Sequence, residues 1–154
     1  MRGNYNAYGA AETSAYALVP IGKYLVKVKK VITTDQAGQP LVTKNGDPTC
    51  RCQLVICDGP HNGSIIFHQV VFFKDKNSKG HGMTKHFLKV LGEQYDQAAD
   101  TFDYDTVRWV DLNEFIVEVK HEDYKGKIQA KVANVDYVNP QTDETVNEMG
   151  NVII

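Results

Sequence analysis

The sequence lacks the features that mark several large classes of protein. No hydrophobic run is long: a stretch such as Val70 to Phe73 falls far short of the ~20 apolar residues that a membrane-spanning helix needs. The opening Met1-Arg2-Gly3-Asn4-Tyr5 has no apolar core of a secretory signal. A cytoplasmic protein without membrane contact is therefore expected. Cysteine is scarce and odd in number, at three. Cys50 and Cys52 fall on one face of an apparent strand and Cys57 on the other, which suits reduced, buried thiols better than a disulfide. There is no phosphate-binding P-loop, no G-x-S-x-G nucleophile turn and no dinucleotide fingerprint. His81 and His86 do not share a helical face and no C-x-x-C accompanies them, so zinc is not expected. The run Asp100 to Asp105 lacks the glycine and closing glutamate of a calcium loop. No catalytic residue, no metal and no cofactor is assigned.

What remains is a soluble-type composition, 42% hydrophobic and 23% charged over 154 residues. A chain of that length forms one domain and buries roughly 70% of its unfolded surface, so it needs no staple. The net charge of −2 conceals a split. Residues 20–91 carry 11 Lys and Arg against 4 Asp, whereas residues 92–154 carry 5 against 14 Asp and Glu. Such a division suits a basic binding face joined to an acidic segment, although strand-rich parts also place lysine on their wet faces for solubility.

Along the chain, residues 1–18 have no period and read as a flexible arm. From Gly22 to Thr34, Tyr24, Val26 and Val28 alternate with Leu25, Lys27 and Lys29, the period of a strand with a basic wet face. Turn-rich loops follow around Gly38 and Gly46. Cys50 to Asp58 is a second strand, with Cys50, Cys52, Leu54 and Ile56 on one face. Ser64 to Lys74 is a third, apolar on both faces and so expected at the centre of the sheet. The period then becomes helical over Gly82 to Leu91, grouping Met83, Phe87, Val90 and Leu91, with Gly92 as the stop. Residues 93–112 read as an acidic connection with one or two short helical turns. A fourth strand spans Phe115 to Lys120, a turn His121 to Gly126, and a fifth strand Ile128 to Tyr137. Residues 141–154 form an acidic tail with an apolar end, Val152-Ile153-Ile154. The fold class expected over residues 19–140 is all-β with one helix: a five-stranded OB-type barrel whose helix lies between strands 3 and 4.

Several stretches carry a resemblance. Val19-Pro20-Ile21-Gly22-Lys23-Tyr24-Leu25-Val26-Lys27-Val28 is similar to the P-x-G-x-Y-x-V-x-V opening of a family of small phage and prophage proteins. Asp58-Gly59-Pro60-His61-Asn62-Gly63 resembles their D-G-x-x-x-G loop, and Phe87 to Gly92 their F-L-x-x-L-G helix end. Phe115 to Lys127 resembles their terminal hairpin. That family resembles single-stranded DNA-binding proteins that sit beside replication and recombination genes. The resemblance implies an OB fold, a bacterial host cell, sequence-independent binding of single-stranded DNA, and a role in replication or recombination; the tail's Asp143, Glu144 and Glu148 and its apolar end suit it to compete with DNA or to recruit partners from that machinery. Ser64 stands where members often have a basic residue, so no phosphate contact is implied there. The sequence leaves open whether the chain forms a homo-oligomer.

A single-strand binder needs cations along the backbone track and flat faces for unstacked bases. The candidate cations are Lys27, Lys29, Arg51, Lys74, Lys76, Lys125, Lys127 and Lys131, and the candidate stacking residues are Phe73 and Tyr124. Tyr24, Phe67 and Phe87 are expected in the core, and Trp109 packed against the barrel. Two rival classes remain. Glu118-Val119-Lys120 fits the E-x-K element of metal-dependent nucleases, if Asp103, Asp105 or Asp111 completes a magnesium site. A barrel that binds only protein is the other.

Overall fold

The computed structural model describes residues 18–138. The arm and the tail expected at the two ends lie outside the described residues, Leu18 apart. The elements run β1 (Gly22–Ile32), β2 (Thr49–Ile56), β3 (Ile65–Val71), α1 (His81–Leu91), β4 (Gln94–Asp96), β5 (Thr101–Asp103), a 3-10 helix (Thr106–Asp111), β6 (Phe115–Tyr124) and β7 (Lys127–Asp136). The long strands form one five-stranded antiparallel sheet in the order β3-β2-β1-β6-β7. The described residues are thus mostly β, with one α-helix in the expected place, after the third strand.

The sheet is not closed into the expected barrel. β3 and β7 approach each other but remain its two edges, and α1 packs against both of them. Their side chains meet the helix across a cleft rather than pairing backbone to backbone. β3 is therefore an edge strand and not the centre of the sheet. Its apolar residues divide between an inner set, Ile66 and Val70, and an outer Phe67 that is 45% exposed. Apolar character on both faces misleads here, because an outward aromatic reads like a core residue.

Alternation fixes the inner face. Val26, Val28, Cys50, Cys52, Leu54 and Ile56 are buried, as are Phe115, Val117 and Val119 from β6. The three cysteines are free. The helix adds Phe87, Leu88, Val90 and Leu91. Met83 does not join them: at the start of the helix it lies 62% exposed. Gly92 ends α1 at φ +101°, donating its N–H to Leu88 and Lys89 carbonyls, and a side chain there would be strained.

The acidic connection holds more order than expected. β4 and β5 pair as a short ribbon, and the 3-10 helix delivers Trp109 into the core, where it is fully buried against Phe87. Beside it sits a buried carboxylate. Glu93 accepts hydrogen bonds from Trp109 Nε1 (2.8 Å), the Asp105 backbone N–H (2.7 Å) and Arg108 Nε (2.9 Å). Buried charge is tolerated when every oxygen is occupied in this way.

His68 faces inward from β3, opposite Cys52, with its ring 5.3 Å from that of Phe87. Burial pushes its pKa down to about 4 from 6.5. The unfolded chain binds this proton more readily than the folded one, so stability is full above pH 6.5 and declines as the pH falls toward 4. Across that window His68 is expected to withdraw about 3 kcal/mol. Urea unfolding at a series of pH values should show a shallower decline for His68→Phe than for the parent. Parallel profiles would show that the imidazole contributes nothing to acid sensitivity.

Candidate nucleic-acid interface

The outer face of β1, β2 and β3 is where cations and an aromatic meet. β1 and β2 pair in register at Val28 with Leu54, but the pairing shifts between Val28 and Lys30. This bulge absorbs Lys29 as the extra residue and reverses the alternation beyond it. Val31 then pairs with Cys52 on the inner side, and Lys30 and Ile32 pair with the outward Gln53 and Arg51. On β3, Phe67 lies opposite Gln53 and Gln69 opposite Arg51. The resulting outer rows are Lys27 and Val55, then Lys30, Gln53 and Phe67, then Ile32, Arg51 and Gln69. Gln69 is steadied by a 3.1 Å bond from its amide to the Thr49 hydroxyl, which itself donates to the Val70 carbonyl at 2.8 Å.

The loops at the Ile32 end add further charge. Asp47 accepts the Lys74 backbone N–H at 3.1 Å, tying the β1–β2 loop to the segment after β3. The Lys74 ammonium reaches over Gly46, which sits at φ +83° in its turn. Lys76 is exposed on the same segment. Phe73 is half-buried, and its ring lies where a Cβ on Gly80 would stand, 2.6 Å away. That contact turns Phe73 toward the fold, so it offers less open surface than a stacking platform needs.

The terminal hairpin forms a second group. The expected turn at His121 to Gly126 is shorter: β6 continues to Tyr124, and Lys125-Gly126 alone make the loop, at φ +52° and +82°. Two positive φ values are what a tight two-residue hairpin needs. Tyr124 is 53% exposed, with the Lys125 ammonium 5.2 Å from its ring centroid. Lys127 pairs with Tyr124 and is exposed. Lys131 is held by Glu122 at 3.1 Å, which reduces its availability to a phosphate.

The two groups do not converge along the sheet. Val119 pairs with Gly22, so the hairpin tip lies beyond the start of β1, whereas Arg51 pairs with Ile32 at its end. β1 separates them by about 33 Å at ~3.3 Å per residue. Among the described residues the ion pairs are Lys85 with Asp100, Arg108 with Glu93, and Lys131 with Glu122. Lys27, Lys29, Lys30, Arg51, Lys74 and Lys76 take part in none of these. Lys30, Gln53 and Phe67 are the residues that the sequence reading passed over. The doubled Lys29-Lys30, followed by an apolar Val31 of the wrong parity, is the visible trace of the bulge that exposes them.

The E-x-K element is dispersed. Glu118 pairs outward between Lys23 and Asn134. Asp105 instead caps the 3-10 helix through the Val107 N–H, and the Asp103 carbonyl receives Arg108. Among the described residues no group of three or more His, Cys, Asp and Glu side chains is placed to hold a metal ion. No described helix is long and apolar enough to cross a membrane.

Residues 6–146 match the family described as protein of unknown function (DUF669), and the chain belongs to that family. No curated protein matches it.

Proposed function

We propose that this DUF669 chain binds single-stranded DNA, without catalysing a reaction on it, along the outer face of β1, β2 and β3. The observation that carries the reading is the juxtaposition of Phe67, exposed on β3, with Lys30 and Arg51 on the neighbouring strands. A half-exposed ring offers a base a flat apolar surface, and cations one and two strands away neutralise the flanking phosphates. The strand order and the helix after the third strand support an OB-type sheet, here unclosed, whose second and third strands are a common single-strand platform. The resemblance to phage single-stranded DNA-binding proteins supports a role in replication or recombination, with partner proteins drawn from that machinery.

An assay with single-stranded DNA, duplex DNA and single-stranded RNA tests the reading. Single-strand binding that weakens with salt is expected, and no single-strand binding at low salt would overturn it. The hairpin supplies an internal comparison. If it extends the track, Tyr124→Ala costs about 1–3 kcal/mol of binding. Its stability should change by about 0.5 kcal/mol or less, as for other exposed positions. Lys127→Ala should instead flatten the salt dependence by about 0.7 of a slope unit. Binding unchanged in both variants would confine the track to the β1–β2–β3 face.

A further inference from the structure

We propose that the cleft between α1, β3 and β7 is a binding site for a small, uncharged, mainly apolar molecule that presents one hydrogen-bonding group to His68. An aromatic amine or phenol of two or three rings fits this description. The site is distinct from the outer face proposed to bind DNA: it opens at the unclosed seam between α1, β3 and β7 and touches the outer rows at Gln69.

Three observations define the ligand. The first is size: the cleft holds about 350 Å³, more than twice the ~150 Å³ of an engineered apolar cavity that accepts benzene. The second is wall chemistry. Val70, Val71, Phe73, Phe87, Val132 and Val135 supply apolar surface, and among the described residues no Asp, Glu, Lys or Arg lines the cleft. A charged ligand would lose its hydration there and find no counter-charge.

The third is an imidazole without a hydrogen-bond partner. Thr84 donates its hydroxyl to the Val71 carbonyl, and His86 Nε2 is engaged with the Val135 carbonyl at 2.7 Å. His68 also lines the cleft, and its ring contacts Phe87 but has no hydrogen bond among the described residues. His68 is half-buried, and a ring nitrogen drawn back from bulk water beside a cavity, with no protein partner, marks where a ligand atom fits. Desolvation holds His68 neutral near pH 7, and a neutral imidazole offers one donor and one acceptor. An uncharged O–H or N–H group complements it. Met83, exposed at the rim, leaves the mouth accessible.

The probe is N-phenyl-1-naphthylamine, an uncharged three-ring amine with a single N–H, whose fluorescence rises in apolar surroundings. The intact chain should give a saturable single-site titration at neutral pH. Gly82→Leu puts a side chain into open space, since a Cβ there meets nothing within 4 Å, and should weaken the probe about tenfold or more by filling the cleft. Met83→Trp, at the exposed rim, should do the same by blocking the mouth and does not depend on the helix tolerating leucine. His68→Phe should weaken the amine several-fold while leaving naphthalene, which has no hydrogen-bonding group, unchanged or tighter. Absence of saturable binding would overturn the proposal, because a site filled only by water takes up no probe. So would probe binding that is indifferent to both Gly82→Leu and Met83→Trp, or a His68→Phe effect equal for the amine and naphthalene.

Discussion

Glu93→Ala is expected to cost about 2–6 kcal/mol of folding stability, from two N–H donors left unsatisfied at about 1–3 kcal/mol each. The Glu93 side chain is 1% exposed, while that of its partner Arg108 is 41% exposed. Arg108 can therefore turn to water when the carboxylate is lost. The indole N–H of Trp109 and the backbone N–H of Asp105 cannot, because both point at the vacated position. The loss would fall on the joint that holds the 3-10 helix under the sheet and thereby seats Trp109 against Phe87. Against a typical domain stability of about 5–15 kcal/mol, that is a large fraction. Glu93→Gln keeps one acceptor and the shape, and should cost less than Glu93→Ala. Urea unfolding of both variants checks this, and a loss of less than about 1 kcal/mol for Glu93→Ala would show the carboxylate network to be incidental.

The second large effect concerns binding. Phe67→Ala is expected to weaken single-strand affinity by about 1–3 kcal/mol, through loss of one stacking surface. Combining Lys30→Ala with Arg51→Ala should lower the slope of log affinity against log salt by about 1.4, as for two lost phosphate contacts on a single strand. The aromatic change should leave the slope alone and the double cation change should alter it, so the two are distinguishable. Lys30 and Arg51 are exposed, and substitutions there should alter stability by about 0.5 kcal/mol or less. Unchanged affinity in Phe67→Ala together with an unchanged slope in the double variant would move the track to the hairpin.

Much of the sheet is legible in the sequence because its strands alternate cleanly. The inner residues of β2, Cys50 to Ile56, follow directly from the period of two. The helix and its glycine stop are equally plain, since Phe87, Val90 and Leu91 recur at helical spacing and Gly92 cannot continue. The outer face is less legible for a physical reason. A β-bulge changes parity without changing composition, so Lys30 and Val31 exchange the faces that simple alternation gives them. Phe67 is hidden for a different reason: hydrophobicity identifies what prefers burial, not how far each side of an edge strand is covered. The Glu93 network joins residues 16 positions apart, through a tryptophan that sits in an acidic stretch. Nothing local distinguishes that glutamate from its exposed neighbours. Closure of the sheet was equally beyond local pattern, because it depends on whether β3 and β7 meet in space.

The measurement that bears most directly on the binding account is a fluorescence titration of the intact chain with oligo-dT at about 50 mM and about 200 mM salt, repeated with Phe67→Ala. The account predicts saturable binding at the lower salt, a marked fall at the higher, and weaker binding by Phe67→Ala at both. No binding of the single strand at the lower salt, with the protein folded, would contradict it.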